Sequence, residues 1–160
     1  MIEPLRMSFE VACDVQHAFS VWTEHISSWW PPDHTVSGEA GTRVVLEPRA
    51  GGRIYERSPS GREWEWGEVT AWEPPARLAY LWHIGADRDD ATDVEIAFVE
   101  VAEALTRIDV EHRGWERLGS ERGRRRRDAN HSGWDRVIPA FRNGCATVSA
   151  PNTEGASNAF

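Results

Sequence analysis

The sequence predicts an α+β fold in which a curved antiparallel sheet packs against one long C-terminal helix. Alternating apolar and polar runs fill residues 42–112 and break at Gly-Gly, Ser-Gly and Pro-Pro pairs, which is the pattern of consecutive strands. Two short helical segments precede these runs, and one apolar stripe at helical spacing follows them. Helices segregated to one side of an antiparallel sheet define the α+β class.

The chain opens with a strand and two short helices. Residues 7–13 alternate in polarity and predict the strand. Asp14 is a suitable N-cap for the first helix, because its carboxylate accepts hydrogen bonds from free backbone N–H groups. The apolar stripe of this helix contains Ala18, Phe19, Trp22 and Ile26. Trp29 and Trp30 are predicted to lie on a short second helical turn, which Pro31-Pro32 ends.

Six further strands are predicted at residues 42–47, 53–57, 63–73, 77–84, 92–101 and 104–112. The last run alternates most regularly. Its inward set is Thr106, Ile108, Val110 and His112, and its outward set is charged, as in a sheet with one solvated face. For the strand 63–73 the alternation does not decide which side chains point inward: the inward set is either its tryptophans or Val69 and Ala71.

The long helix is predicted from about Asp128 to Asn143, after a polar, arginine-rich stretch at 113–127 that is interpreted as a solvated loop. One apolar stripe runs through Trp134, Val137, Ile138, Phe141 and Cys145. Pro139 is expected to kink the helix, and Gly144 is expected to end it. We therefore expect a single domain over residues 1–144 and a flexible C-terminal tail over 145–160.

Composition excludes several classes of function. The formal net charge of −8 argues against nucleic acid or an anionic membrane as partner. All 18 basic residues are arginine, so Schiff-base lysine chemistry is impossible. The six histidines show no ligand spacing, and neither a metal nor a cofactor is expected. No apolar run reaches membrane-spanning length, and two cysteines without pairing motifs suit a reducing cytoplasm.

Several short motifs occur in a fixed order along the chain. They are Trp29-Trp30, Gly51-Gly52-Arg53, Trp66-Gly67-Glu68-Val69, Trp72-Glu73-Pro74-Pro75-Ala76-Arg77-Leu78, Trp82, His112-Arg113-Gly114-Trp115 and His131-Ser132-Gly133-Trp134. This order resembles the START-like, or Bet v 1-like, helix-grip fold of the SRPBCC superfamily. In detail it resembles the branch of small bacterial homologues of the heat-shock-protein-90 ATPase activator. The resemblance implies a hydrophobic cavity between sheet and last helix; most proteins of this branch are uncharacterised.

The nine tryptophans predict a partly open, aromatic-lined cavity, because six large rings are hard to bury fully in a domain of this size. Its expected wall is Trp22, Trp30, Trp66, Tyr80, Trp82, Ile108, His112, Trp134 and Phe141. The first hypothesis is therefore non-covalent binding of a small apolar or aromatic molecule.

Two other functions stay open. Some relatives of this fold resemble cyclases and aromatases, and an enzyme of that kind would use His112 or Glu68 as its acid or base. A chaperone cofactor, which the family resemblance suggests, would instead need an exposed apolar patch on its outer surface. A homodimer is also possible, although the sequence carries no interface signature.

Overall fold

The computed structural model describes residues 1–149, which contain seven strands and three α-helices. The strands are β1 Leu5–Val11, β2 Arg43–Leu46, β3 Arg53–Arg57, β4 Glu63–Glu73, β5 Arg77–Trp82, β6 Thr92–Ala102 and β7 Leu105–Arg113. The helices are α1 Val15–Thr23, α2 Ile26–Trp29 and α3 Ser120–Thr147. Short 3₁₀ turns occupy Arg88–Asp90 and Trp115–Leu118.

The strands form one antiparallel sheet in the order β1-β7-β6-β5-β4-β3-β2. Its concave face receives all three helices, and the buried core lies between them. The inward set predicted for β7 is buried on this face, from Thr106 to His112. The helix-grip α+β fold expected from the sequence is therefore confirmed.

Two β-bulges in β4 decide which of its side chains point into the core, a question that the sequence alternation left open. Its pairing skips one residue at Trp66 against β3 and one at Thr70 against β5. Each extra residue shifts the alternation, so Trp66 and Val69 are both buried although their spacing is odd. At Gly67 any Cβ would lie 2.0 Å from the Leu81 carbonyl oxygen, so only glycine fits beside the first bulge.

The last helix begins at Ser120, eight residues before its predicted start. The arginine-rich segment is thus its first two turns and not a loop, since arginine is a good helix former. Arg125 pairs with Glu121 one turn earlier at 3.0 Å, and Arg122 reaches Asp90 at 3.0 Å. The first two turns of this helix are rich in arginine and exposed to solvent, so their sequence has no apolar periodicity. The predicted start of the helix was therefore too late.

The same helix continues past its predicted end. It runs through Pro139 without a break and ends at Thr147, so residues 145–147 are helical and do not belong to a tail. Gly144 lies inside the helix, where its lack of a side chain admits the Trp29 ring. The rest of the expected tail, residues 150–160, lies outside the described residues.

Candidate ligand site

The nine predicted wall residues are all buried, and all of them except His112 belong to one apolar cluster between the sheet and α3. Their rings pack on one another in two groups. On one side Trp30 lies 5.1 Å from Trp66 and 5.8 Å from Trp82, measured between ring centroids. On the other, Trp22 lies 4.7 Å from Phe141 and 6.1 Å from Trp134. These separations are those of favourable aromatic pairs.

A small cavity lies among the rings of this cluster. It has a volume of about 20 Å³, which is room for one water molecule. Four predicted wall residues line it, namely Trp30, Tyr80, Trp82 and Trp134. The sequence did not predict the other lining residues, which are His34, Asn130, Gly133 and Val137. The remaining five predicted residues pack behind this wall.

The expectation that six tryptophans could not be fully buried is wrong. Trp22, Trp29, Trp30, Trp66, Trp82 and Trp134 are each less than a tenth exposed. Stacking of ring against ring covers their faces, and hydrogen bonds satisfy the N–H groups of Trp29, Trp30, Trp66 and Trp134. Trp29 Nε1 donates to the Val21 carbonyl at 2.7 Å, and Trp30 Nε1 donates to the His34 carbonyl at 2.8 Å. An aromatic core of this kind needs no open space.

His112 lies fully buried behind Trp134. An indole N–H can only donate, so Nδ1 of His112 accepts the 3.0 Å bond from Trp134 and carries no proton. The imidazole proton is therefore on Nε2, which lies 2.7 Å from the Thr92 hydroxyl. Burial lowers the pKa of His112 to about 3, and the charge of Arg126 acts in the same direction.

Both ring nitrogens of His112 are thus engaged, and the ring is neutral at pH 7. This imidazole does not line the cavity. It holds the Trp134 ring in place, and the ring in turn forms one wall. We therefore interpret His112 as a positioning residue and not as a proton donor or acceptor.

Glu68, the other acid/base candidate, is not at the cavity. Its side chain is 37% exposed and pairs with Arg88 at 2.6 Å. The bulge at Trp66 causes this placement, because it turns Trp66 and Val69 inward and leaves Glu68 between them on the outer face.

The structure brings a different carboxylate into the core, one that sequence analysis missed. Glu56 of β3 is fully buried, and its two oxygens accept three hydrogen bonds. The donors are the backbone N–H groups of Val36 at 2.6 Å and Ser37 at 3.0 Å, and Trp66 Nε1 at 2.8 Å. The sequence could have indicated this burial, because Ile54 and Glu56 are two residues apart in β3 and therefore point to the same face of the sheet.

A short turn, residues 31–34, covers the cavity on its solvent side. It is tied to α3 by an ion pair between Asp33 and Arg136. The half-buried His34 ring lies against Gly133 of α3, where a Cβ would be 3.2 Å from His34 Cε1. Burial, and then the charge of Arg136, lower the pKa of His34, which favours its neutral form.

A second, wider groove lies outside the cluster. It has a volume of about 600 Å³ and runs between α1 and the corner that contains the cis Pro74–Pro75 bond. Its apolar floor includes Phe19, Trp72 and Leu46. Trp72 is only half-buried there, and its ring centroid is 5.1 Å from that of Phe19.

Two further properties concern residues 1–149 only. In this part of the chain, no three His, Cys, Asp or Glu side chains are grouped so that they would hold a metal ion. None of its helices is long and apolar enough to cross a membrane.

The comparison with known families identifies the chain. The family model described as activator of Hsp90 ATPase homolog 1-like protein matches residues 12–143. This chain belongs to that family, as the order of its motifs suggested. No curated protein matches the chain significantly.

Solved structures share the fold over nearly the whole chain. The structure of an anthrahydroquino-gamma-pyrone synthase, Txn09, complexed with SUM is 32% identical over 89% of this chain and 97% of that chain, with a TM-score of 0.62. The self-sacrificing resistance protein CalC from Micromonospora echinospora is 26% identical over 93% and 97%, with a TM-score of 0.68. A Mesorhizobium loti protein, 16% identical over 92% and 100% with a TM-score of 0.67, shows the fold alone.

The three hydrogen bonds to Glu56 predict a strong effect of Glu56→Gln. An amide group in place of one oxygen would face an N–H donor and leave both groups unsatisfied. We expect the free energy of unfolding to fall by about 1–3 kcal/mol in urea denaturation. The control is Glu103→Gln, an exposed site, where a change within about 0.5 kcal/mol is expected. Equal losses at both sites would contradict the role of Glu56.

The low pKa of His112 predicts loss of stability in mild acid. The unfolded chain binds the proton near pH 6.5, whereas the folded chain resists it down to about pH 3. The stabilisation is therefore complete above about pH 6.5 and is lost as the pH falls toward 3. Between about pH 7 and pH 5, wild type should lose about 2 kcal/mol more than His112→Gln in urea denaturation. Parallel pH profiles would show that His112 is already charged in the fold.

Proposed function

We propose that this protein binds a planar aromatic small molecule between Trp30, Tyr80, Trp82 and Trp134. The observation that carries the proposal is the convergence of these four predicted residues on one cavity with a polar mouth. Flat rings offer stacking surfaces to an aromatic guest. His34 and Asn130, on the solvent side, offer hydrogen bonds to its polar edge.

Binding at this site requires the turn 31–34 to move. A cavity of about 20 Å³ is far smaller than the roughly 300–1,000 Å³ of a small-molecule site. The turn is the element that can open, because Asp33 and Arg136 are both more than half exposed and such an ion pair contributes about 0–1 kcal/mol. The sheet side of the cavity is buried core and stays fixed.

The relative Txn09, at 32% identity, supports an aromatic ligand. That protein is an anthrahydroquino-gamma-pyrone synthase. We propose that the ligand of this chain belongs to the same class of molecule, a polycyclic aromatic compound that carries oxygen. A long saturated chain fits the site less well, since flat indole walls favour flat guests.

The same relative favours an enzyme as the second candidate, of the cyclase or aromatase type. Neither His112 nor Glu68 suits this role, for the reasons given above. Among the residues that line the cavity, His34 is the one whose unprotonated form is favoured at neutral pH and which reaches solvent. His34 would then be the base that removes a proton from a bound phenol or activated CH group.

The chaperone-cofactor alternative has less support. Within residues 1–149 the exposed large apolar side chains are Met1, Val36 and Val101, which lie on separate segments. They do not form the contiguous patch that a protein partner of this kind requires.

Ligand titration tests the proposed site. A hydroxylated anthraquinone should quench tryptophan fluorescence saturably at one molecule per chain, and a saturated fatty acid of similar carbon number should not. Gly133→Val places two methyl groups at the cavity mouth and should weaken binding at least tenfold. Trp72→Ala, in the outer groove, should leave the dissociation constant within about twofold. If Trp72→Ala weakens binding and Gly133→Val does not, the ligand lies in the wider groove beside Trp72. The absence of any quenching would reject aromatic binding.

Release of the turn should strengthen binding. Arg136→Gln removes the ion pair that holds the closed state, so the open, competent state becomes more populated. We expect up to about a fivefold lower dissociation constant and a faster association rate by stopped-flow fluorescence. Arg125→Gln removes a more exposed ion pair within α3 that does not touch the turn, and serves as the control. Identical kinetics in both variants would show that the turn does not control access.

A further inference from the structure

Asn130 is the residue that brings a carboxamide group to the small cavity. It lies on the same face of α3 as Gly133, Trp134 and Val137, which follow at helical spacing and line the cavity as well. The Asn130 side chain is half-buried there. One helical turn further along, the His34 ring lies against Gly133. Asn130 and His34 therefore flank the same mouth of the cavity, within reach of a ligand.

The helix itself fixes the orientation of this carboxamide. Asn130 Nδ2 donates to the Arg126 carbonyl, one turn earlier, at 2.9 Å. A carbonyl oxygen can only accept, so the amide nitrogen and not Oδ1 must face Arg126. No hydrogen bond within residues 1–149 has Asn130 Oδ1 as its acceptor. Because no sealed side-chain oxygen of this part of the chain lacks a partner, Oδ1 is open to solvent or to a ligand.

His34, the neighbouring polar group, can serve donors and acceptors alike. Within residues 1–149 its hydrogen bonds are made by its backbone: the N–H donates to the Pro31 carbonyl at 3.0 Å, and the carbonyl accepts from Trp30 Nε1 at 2.8 Å. Both ring nitrogens are left for a ligand. A neutral imidazole carries one donor and one acceptor, so this ring accommodates either kind of ligand group. The discrimination between ligand groups therefore depends on Asn130.

We propose that Asn130 determines specificity by selecting aromatic ligands that carry a hydroxyl or amino group over the same ring system with a methyl ether. This inference rests on the proposed function, because it concerns the ligand of that site. When a ligand displaces water from the mouth, Oδ1 regains a hydrogen bond only if the ligand donates one. An ether oxygen cannot donate. It can accept from the second N–H of Nδ2, but this leaves Oδ1 unsatisfied, which is costly in a site closed to water.

The test is a fluorescence titration of the full chain with 2-hydroxy-, 2-amino- and 2-methoxyanthraquinone. A substituent at this ring position does not reach the quinone oxygens, so its protons are available to the protein. We expect the hydroxy and amino compounds to bind about tenfold more tightly than the methoxy compound. The amino compound separates the two possible causes, because it shares the donor with the hydroxyl compound but not its acidity.

Two leucine variants locate the source of the preference. Asn130→Leu has a side chain of similar size without an acceptor and suits a helix, so the ratio of dissociation constants should fall to within about twofold of one. Asn143→Leu, at an exposed position of the same helix away from the cavity, should keep the wild-type ratio.

The outcomes separate this inference from the proposed function. Saturable quenching with equal affinities for all three compounds in wild type would overturn the role of Asn130 and leave aromatic binding intact. A ratio that persists in Asn130→Leu would likewise assign the selection to another group. No quenching by any compound would reject the proposed function and this inference with it. The wild-type ratio does not depend on whether either variant folds.

Discussion

The hydrogen bond between Trp134 and His112 joins the long helix to the sheet at a point from which water is excluded. It fixes the tautomer of His112, and through Nε2 it extends to Thr92 on the neighbouring strand. The Trp115 ring packs against the same imidazole, with centroids 4.3 Å apart. One neutral histidine is thus the meeting point of two strands, the segment before α3 and α3 itself. Loss of any partner would leave a buried polar group unsatisfied, so the arrangement sets the rotation of the helix.

That rotation determines the candidate site. With its N–H directed at His112, the Trp134 ring lines the small cavity together with Tyr80 and Trp82. The interactions that stabilise the core therefore also shape the wall. They also keep the cavity closed, because each ring that would contact a ligand is already in contact with another ring. A ligand of the proposed kind would have to displace the turn 31–34 and compete with these contacts, which favours guests that stack well.

The sequence was sufficient for the fold and for the membership of the aromatic cluster. Regular alternation identified the inward face of β7, and the spacing from Trp134 to Cys145 identified the packed stripe of α3, since both patterns reflect burial on one side. The start of α3 was missed, because an arginine-rich turn on a solvated helix has no such pattern. The facing of β4 depended on bulges, and alternation alone cannot place these.

The site was harder to predict than the fold. Alternation places Trp66 and Trp82 inside but does not reveal whether neighbouring rings fill the space between them. Glu56 was overlooked because a charged residue in a strand is usually exposed. Its burial depends on three donors, two of which come from a loop about twenty residues earlier in the chain. Contacts of this kind depend on tertiary structure, which the order of residues along one strand does not encode.

The composition of α3 has a consequence for how the chain folds. The helix contains Gly123, Gly133 and Gly144, placed where Trp115, His34 and Trp29 approach it, and it also contains Pro139. Each glycine costs roughly 1 kcal/mol of helix stability and an interior proline about 3 kcal/mol. As an isolated segment, α3 is therefore a weak helix that gains its stability from the sheet and the neighbouring rings. Helix formation and closure of the sheet are thus coupled in one cooperative transition, with no independently stable helix to act as a template.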